Sequence, residues 1–157
     1  VREEAFLDRG AKCLIDRELR LGSKSEHNAE ERLDEADWLK LCFPRFYFYD
    51  VLRGLNFILR WAEFRKRALP YGAIARVGEH LLNRFPAGEI RIERHSYEGS
   101  TTKVRSGPSD WKYDQPASHF PLLDRVSEIG QISEPLTRRW RAAKERIRVL
   151  KGGDLLR

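Results

Sequence analysis

The residues best suited to chemistry lie together in one aromatic stretch of the chain. Arg53 follows Asp50 at a three-residue spacing, at which a carboxylate and a guanidinium can pair on one helix. A carboxylate near the start of a helix is also stabilised by the helix dipole. Together with Arg45, Tyr47 and Tyr49, these residues predict a polar anchor for a ligand in an aromatic pocket. The alternative is a buried ion pair that fixes two helices together, since unpaired buried charges are rare.

Other side chains with catalytic or metal-binding potential lack the necessary spacing. His27, His80, His95 and His119 show no pattern typical of metal ligands, so no metal site is predicted. His95 and His119 lie near carboxylates in sequence, but no feature orients an acid–base pair there. The chain also lacks a nucleophile elbow and a glycine-rich phosphate loop. No cofactor is predicted and no catalytic residue can be named, so whether the chain is an enzyme stays open.

The candidate site must be positioned by a central helix, predicted to begin at Pro44 and to continue to about residue 64. Aliphatic residues at three- and four-residue spacing form one apolar face of this helix. A second apolar face contains Phe46, Gly54, Phe57, Trp61 and Phe64. The polar strip left for water contains Arg45, Arg53, Asn56, Arg60 and Glu63. A helix that is apolar over most of its circumference is expected to be an interior helix, packed by neighbours on several sides.

Further helices are predicted before and after this central one. The first spans residues 2–21 and ends at Gly22, and another spans residues 70–85 after a break at Pro70. The short link before Pro70 indicates a helical hairpin. Gly78 is expected on its packing side, where another helix approaches closely, although simple tolerance of glycine is the alternative.

The carboxyl-terminal part of the chain carries two more helix signals. A short helix is predicted over residues 121–129. The sequence Ser-Glu-Pro at residues 133–135 predicts the start of a basic terminal helix that runs to about residue 150. The side chains expected to face inward from it are Leu136, Trp140, Ala143, Ile147 and Leu150.

Residues 86–120 interrupt the helical pattern and are predicted to form an irregular insertion. Ile90 and Ile92 alternate with polar residues, which predicts a short strand. Residues 101–105 are its expected partner across a turn at residues 97–100, which gives a small β-hairpin. Residues 111–120 are expected to be irregular.

Composition favours one helical domain over the 157 residues, with 41% hydrophobic content for a core. The net charge of +6 comes from many arginines interleaved with acidic residues, which is typical of a solvated surface. Nucleic-acid binding through the terminal helix therefore ranks low. Cys13 and Cys42 are isolated, which favours a reduced, cytoplasmic protein. No run of 18 apolar residues predicts a membrane span.

The central stretch resembles a known group of helical folds. Residues 43–55, FPRFYFYDVLRGL, are similar to the start of an inner helix in the prenyltransferase/squalene-cyclase-like α/α toroids. Residues 81–92 resemble the loops that close each hairpin in those folds, with Ile90 where tryptophan is usual. The resemblance covers about residues 5–92. It implies antiparallel helical hairpins around a cavity, and a chain that is a fragment of a larger ring. The absence of Met and the start at Val1 also lead us to expect a fragment, a processed chain or an excised domain.

The chemistry of the toroid group is not carried over by this sequence. The DxDD acid motif of the cyclases is absent, and neither cysteine has Asp two residues before it, as in the zinc-binding prenyltransferases. We therefore expect a toroid-like domain that binds a hydrophobic, isoprenoid- or lipid-like small molecule in an aromatic cavity. The alternative is a helical module that binds a protein partner, and nucleic-acid binding ranks third.

Overall fold

The computed structural model describes residues 2–46, 48–95, 101–105, 107–108, 110–116 and 121–157 of the chain. Within these ranges the protein is mainly helical, as the sequence predicts. Its α-helices, in chain order, are α1 (Arg2–Asp16), α2 (Glu35–Trp38), α3 (Val51–Arg65), α4 (Gly72–Arg84), α5 (Pro121–Ser127) and α6 (Glu134–Gly152). A single 3₁₀ turn, Ala29–Arg32, precedes α2.

Helix α3 is the centre of the fold and contacts α1, α4 and α6. Its aliphatic face is completely buried and joins one continuous hydrophobic core with residues of the three neighbours. The buried residues of α3 are Val51, Leu52, Gly54, Leu55, Ile58, Leu59 and Ala62. The second apolar face is different, because Phe57 and Trp61 are only partly buried and Phe64 is 72% exposed. The predicted interior helix is therefore packed on three sides and open on the fourth.

The start of α3 differs from the prediction. The helix begins at Val51, not at Pro44, and Asp50 is its N-cap residue in an extended conformation. The Asp50 carboxylate accepts a hydrogen bond of 2.8 Å from the Arg53 backbone N–H. An aspartate cap satisfies one of the amides that a helix start leaves without a partner. Pro44 lies in a non-helical segment before it, after a cis peptide bond.

The end of α1 also differs from the prediction. The helix ends at Asp16 and not near Gly22, because Glu18 and Leu19 adopt left-handed conformations. The turn brings the Leu19 side chain, 2% exposed, into the core. Gly22 has another role, since a Cβ atom there would lie 2.7 Å from the backbone of Glu31.

The predicted strand at Ile90 and Ile92 is wrong, and so is its pairing with residues 101–105. Segment 90–93 is instead tied to the loop before α6, where Ile92 N–H donates to Gln131 O at 3.0 Å and Ser133 N–H to Ile90 O at 2.8 Å. Residues Thr101–Arg105 (β1) pair antiparallel with Trp111–Pro116 (β2), a segment expected to be irregular. The predicted turn at residues 97–100 lies outside the described residues.

The carboxyl-terminal helices follow the sequence cues closely. Helix α5 lies inside the predicted span, and α6 begins directly after Ser133. The predicted inward face of α6 is buried or packed against the core. Ser133 starts the helix without a capping hydrogen bond from its side chain.

The last residues of the chain lie against the link between α3 and α4. Leu69 and Leu156 form a parallel bridge, in which Leu69 N–H donates to Leu155 O at 2.7 Å and Arg157 N–H donates to Leu69 O at 3.1 Å. Both leucine side chains are buried in the common core. We refer to this contact as the terminal bridge.

Candidate functional site

The open side of α3 forms the floor of a groove between α1 and α6. Its volume is about 720 Å³. Its lining combines apolar and cationic side chains, namely Leu7, Arg45, Arg53, Asn56, Phe57, Arg60, Trp61, Phe64, Arg138, Arg139, Ala142 and Arg146. We call it the arginine–aromatic groove. The groove joins three features that are separate in the sequence: the predicted site residues Arg45 and Arg53, the second apolar face of α3, and helix α6.

Helix α3 supplies the groove with a regular stripe of side chains. Arg53, Phe57, Arg60 and Phe64 follow one another at spacings of four, three and four residues. At 3.6 residues per turn, such residues lie above one another on one face. The stripe therefore alternates a cation and an aromatic ring along the groove floor. This alternation is the signal in the sequence that could have identified the groove.

The orientation of Trp61 is fixed by α1. Its indole N–H donates to Asp8 Oδ1 at 2.8 Å, and Arg65 donates to both Asp8 oxygens at 3.2 and 3.1 Å. The hydrogen bond from Trp61, followed by that from Arg65, lowers the pKa of the Asp8 carboxyl below its ordinary value. Asp8 therefore connects α1 to α3 and holds one aromatic wall of the groove in place.

Arg45 and Asp50 form a buried ion pair at one end of the groove. Asp50 is completely buried, Arg45 is 7% exposed, and Nε of Arg45 lies 2.6 Å from Oδ2 of Asp50. The contact is electrostatic and not an aligned hydrogen bond, since both atoms lack a hydrogen-bond partner among the described residues. Burial raises the pKa of the Asp50 carboxyl, and the Arg45 guanidinium opposes that shift. Burial likewise lowers the pKa of Arg45, and Asp50 opposes this.

The side chain of Arg53 does not make the predicted pair with Asp50. Its guanidinium donates instead to the backbone carbonyls of Phe46 and Phe48, at 3.3 and 3.0 Å. Arg53 therefore contacts Asp50 only through its backbone N–H. The carboxylate's charged partner is Arg45, five residues earlier in the chain.

Tyr49 of the predicted site is held by a hydrogen bond and by an aromatic contact. The Tyr49 hydroxyl donates to Leu19 O at 2.6 Å, and its ring packs edge-to-face on Trp38 at 5.5 Å. Burial raises the pKa of Tyr49 above its ordinary value. Tyr49 is thus engaged in the contact between the turn after α1 and the segment before α3. Tyr47 lies outside the described residues.

The groove carries an excess of positive charge. Among its arginines, Arg45 pairs with Asp50, Arg146 lies 3.3 Å from Glu63, and Arg138 lies 3.7 Å from Glu134. The groove arginines without a carboxylate partner in the described part of the chain are Arg53, Arg60 and Arg139. Six arginines and three carboxylates give the groove and its ion pairs a formal charge of +3. This arrangement favours an anionic ligand over a neutral or cationic one.

Clusters of metal-ligating side chains and long apolar helices are both absent from the described residues. These ranges contain no group of three or more metal-ligating side chains, and His119 lies outside them. No helix in the described ranges combines the length and apolar character needed to cross a bilayer.

Comparison with known proteins adds no relative. No protein-family model matches the chain, and no match is found among curated proteins or solved structures. A proposal on function therefore rests on the groove itself.

Proposed function

We propose that the protein binds a hydrophobic, isoprenoid- or lipid-like small molecule in the arginine–aromatic groove. The observation that supports this most is the exposure of large apolar side chains on the groove floor, with Phe64 at 72% exposure. Burying about 100 Å² of apolar surface contributes roughly 2.5 kcal/mol. A ligand chain lying along Phe57 and Phe64 would bury apolar surface of both partners at once.

The cationic residues of the groove determine how such a ligand would be oriented. Arginines lie on the floor of the groove, Arg53 and Arg60 of α3, and on one wall, Arg139 of α6. A ligand with an apolar chain and an anionic group would place the chain on the rings and the charge at the guanidinium groups. The predicted site residues Arg45 and Arg53 then act as ligand contacts, and Asp50 positions Arg45.

The fold proposal that accompanies this function is the α/α toroid. In that arrangement α3 would be an inner helix lining a central cavity, α3 and α4 would form an antiparallel hairpin, and the chain would form part of a ring. The exposure of the aromatic face of α3 supports an inner position. The proposed function includes no reaction, since no catalytic group has been identified in the groove. Cytoplasmic localisation is proposed from the two free cysteines alone.

Nucleic-acid binding is a second candidate function with an observation in its favour. Arg138, Arg139 and Arg146 of the basic helix α6 line the same groove as three aromatic side chains of α3. Arginine beside aromatic rings is the combination that single strands require. The alternative that the sequence ranks above nucleic-acid binding, a module that binds a protein partner, is favoured by no particular contact.

The test of the proposed function is native mass spectrometry of the purified chain, followed by denaturation, organic extraction and titration with decanol. A co-purified amphiphile, or decanol bound at one site per chain, would support it. An empty chain that binds neither decanol nor a decyl amphiphile would overturn it. An empty chain that is also dimeric would favour the protein-interaction module.

A further inference from the structure

The end of the groove next to the start of α3 concentrates positive charge. Arg45, Arg53 and Arg139 all line the groove. Burial is the main cause that lowers the pKa of Arg45, and the charges of Arg139 and Arg53 act on it in the same direction. Only one of these three arginines has a carboxylate partner among the described residues, namely Arg45 with Asp50. We refer to these three arginines as the arginine cluster.

A second, independent observation comes from the hydrogen bonds of Arg45. Arg45 is 7% exposed, and its Nη2 atom makes no hydrogen bond in the described part of the chain. A buried donor without an acceptor is costly, by roughly 1–3 kcal/mol and more for a charged group. Because Arg45 lines the groove, a rotation of its guanidinium toward an acceptor oxygen bound there would remove this cost.

From these observations we infer that the arginine cluster binds the phosphate group of a phosphomonoester amphiphile, whose apolar chain lies on Phe57 and Phe64. This inference rests on the proposed function and specifies the class of ligand. A phosphomonoester carries a charge of about −1.5 to −2 at neutral pH and three strong acceptor oxygens. Guanidinium forks match such oxygens in bidentate geometry. A carboxylate supplies half the charge and two oxygens, and leaves the cluster incompletely neutralised.

The experiment compares ligands that share one chain and differ in headgroup. Binding of decyl phosphate, decanoate and decanol to the full chain is measured by calorimetry below the concentrations at which micelles form, with inorganic phosphate as a chainless reference. At about pH 7.5, decyl phosphate should bind about tenfold more tightly than decanoate. It should also bind at least about tenfold more tightly than inorganic phosphate, because the apolar chain adds affinity.

The pH profile separates a dianionic phosphate from general hydrophobic binding. The second pKa of a phosphomonoester is about 6, so the affinity for decyl phosphate should fall several-fold between about pH 7.5 and pH 5.5. Decanoate stays ionised across this range and its affinity should change little. Parallel changes for both ligands would contradict a dianion-specific site.

A matched pair of variants on α6 assigns the effect to the cluster. Arg139→Gln removes an exposed groove charge, and Arg141→Gln removes an exposed charge from the same helix outside the groove lining. The Arg139 variant should lose about tenfold in affinity for decyl phosphate and a much smaller factor for decanol, which carries no charge. The Arg141 variant should match the unaltered protein. Because both positions are exposed, neither variant should affect folding.

The outcomes distinguish failure of the inference from failure of the proposed function. Equal affinity for decyl phosphate, decanoate and decanol would overturn the phosphate site and leave the hydrophobic groove intact. Inorganic phosphate binding as tightly as decyl phosphate would also overturn the inference, because the chain would then contribute nothing. No binding of any decyl compound would overturn both. An oligothymidylate that binds tightly and is not displaced by decyl phosphate would assign the cluster to single-stranded nucleic acid and overturn the inference.

Discussion

Nε of Arg45 lies 2.6 Å from Oδ2 of Asp50, so one buried ion pair connects the arginine–aromatic groove to the cap of its central helix. The same carboxylate accepts from the first turn of α3 through its other oxygen. The Asp50 side chain therefore couples Arg45, a proposed ligand contact, to the start of α3. The two interpretations of this stretch, a polar anchor for a ligand and a buried ion pair, are compatible in this geometry.

Removal of the Asp50 charge should destabilise the protein strongly. Asp50→Asn keeps an acceptor for the helix cap but leaves the Arg45 guanidinium buried without a counter-charge. We expect a loss of roughly 3–5 kcal/mol in the free energy of unfolding, measured by urea denaturation. The double variant Arg45→Met with Asp50→Asn should recover most of this loss, because no buried charge remains.

The control for this measurement is an exposed ion pair. Asp16 pairs with Lys12 at 2.8 Å on the surface of α1. Asp16→Asn should cost less than about 1 kcal/mol. A loss below about 1 kcal/mol for Asp50→Asn as well would contradict the importance of the buried pair.

The contact between Asp8, Trp61 and Arg65 should make stability depend on acid pH. The pKa of Asp8 is lowered in the folded protein by the hydrogen bonds from Trp61 and Arg65. A lowered pKa stabilises the folded protein at pH values above about 4, the ordinary pKa of an aspartate. This stabilisation is lost as the pH falls through the pKa that Asp8 has in the folded state. The unfolding free energy of Asp8→Asn should therefore lie below that of the unaltered protein at about pH 6. The difference should shrink at about pH 3, and a difference that grows there would oppose this account.

Phe64 should contribute to binding and little to stability. Its side chain is 72% exposed and lines the groove, whereas Phe6, 68% exposed, lies on α1 outside the groove lining. We expect Phe64→Ala to weaken decanol binding by about tenfold, through the lost apolar contact. Phe6→Ala should leave binding unchanged, and both variants should change the unfolding free energy by less than about 1 kcal/mol. Equal binding losses in the two variants would remove the groove as the binding site.

Two glycines in helices should respond in opposite ways to alanine. A Cβ atom on Gly54 would lie 2.9 Å from Cζ of Tyr49, whose ring is held by Leu19 and Trp38. Gly54→Ala should therefore cost about 1–3 kcal/mol. Gly78 has no atom within 4 Å of such a Cβ in the described part of the chain, so Gly78→Ala should gain up to about 1 kcal/mol in helix propensity. Thermal unfolding of both variants measures the contrast, and equal signs would contradict it.

The comparison of Gly54 and Gly78 also illustrates which features the sequence could reveal. The predicted close approach of another helix at Gly78 is wrong, because no described atom lies within 4 Å of a Cβ there; simple tolerance of glycine applies. The close approach occurs at Gly54, where the neighbour is Tyr49. Both glycines lie inside helices with a buried apolar face, so their local sequences do not distinguish them. What distinguishes them is the packing of a remote turn, which holds the Tyr49 hydroxyl.

Short sequence signals predicted an element correctly where the contacts that determine it lie within a few residues of it. The Ser-Glu-Pro start of α6 was found because proline and an acidic residue favour the first turn irrespective of surroundings. Pro44 gave the same kind of signal and was wrong, since Asp50 offers a better cap six residues later. The strand expected at Ile90 failed for a different reason. Its backbone is hydrogen-bonded to a loop about forty residues later in the chain. No periodicity within the segment can reveal such a distant partner.

The candidate site could be predicted only in part, for the same reason. Arg45 and Arg53 do line the groove, and Asp50 lies beneath Arg45. No local pattern in the sequence indicates that Arg139 of α6 lies in the same groove as Phe57 of α3. That relationship depends on how two helices far apart in the chain dock against each other. The alternating arginine and phenylalanine spacing on α3 indicates the floor of the groove but not the helix that borders it.

The terminal bridge has a consequence for how the protein folds. Leu69 and Leu156 belong to segments that enclose α4, the β-strands, α5 and α6 between them, so their contact closes a very long loop. Closing such a loop costs chain entropy that local helix formation does not. We expect α3 and α4 to acquire structure first and the backbone amides of Leu69 and Arg157 to become protected from hydrogen exchange last. The groove, which needs α6 in place, would then be completed only in the final step of folding.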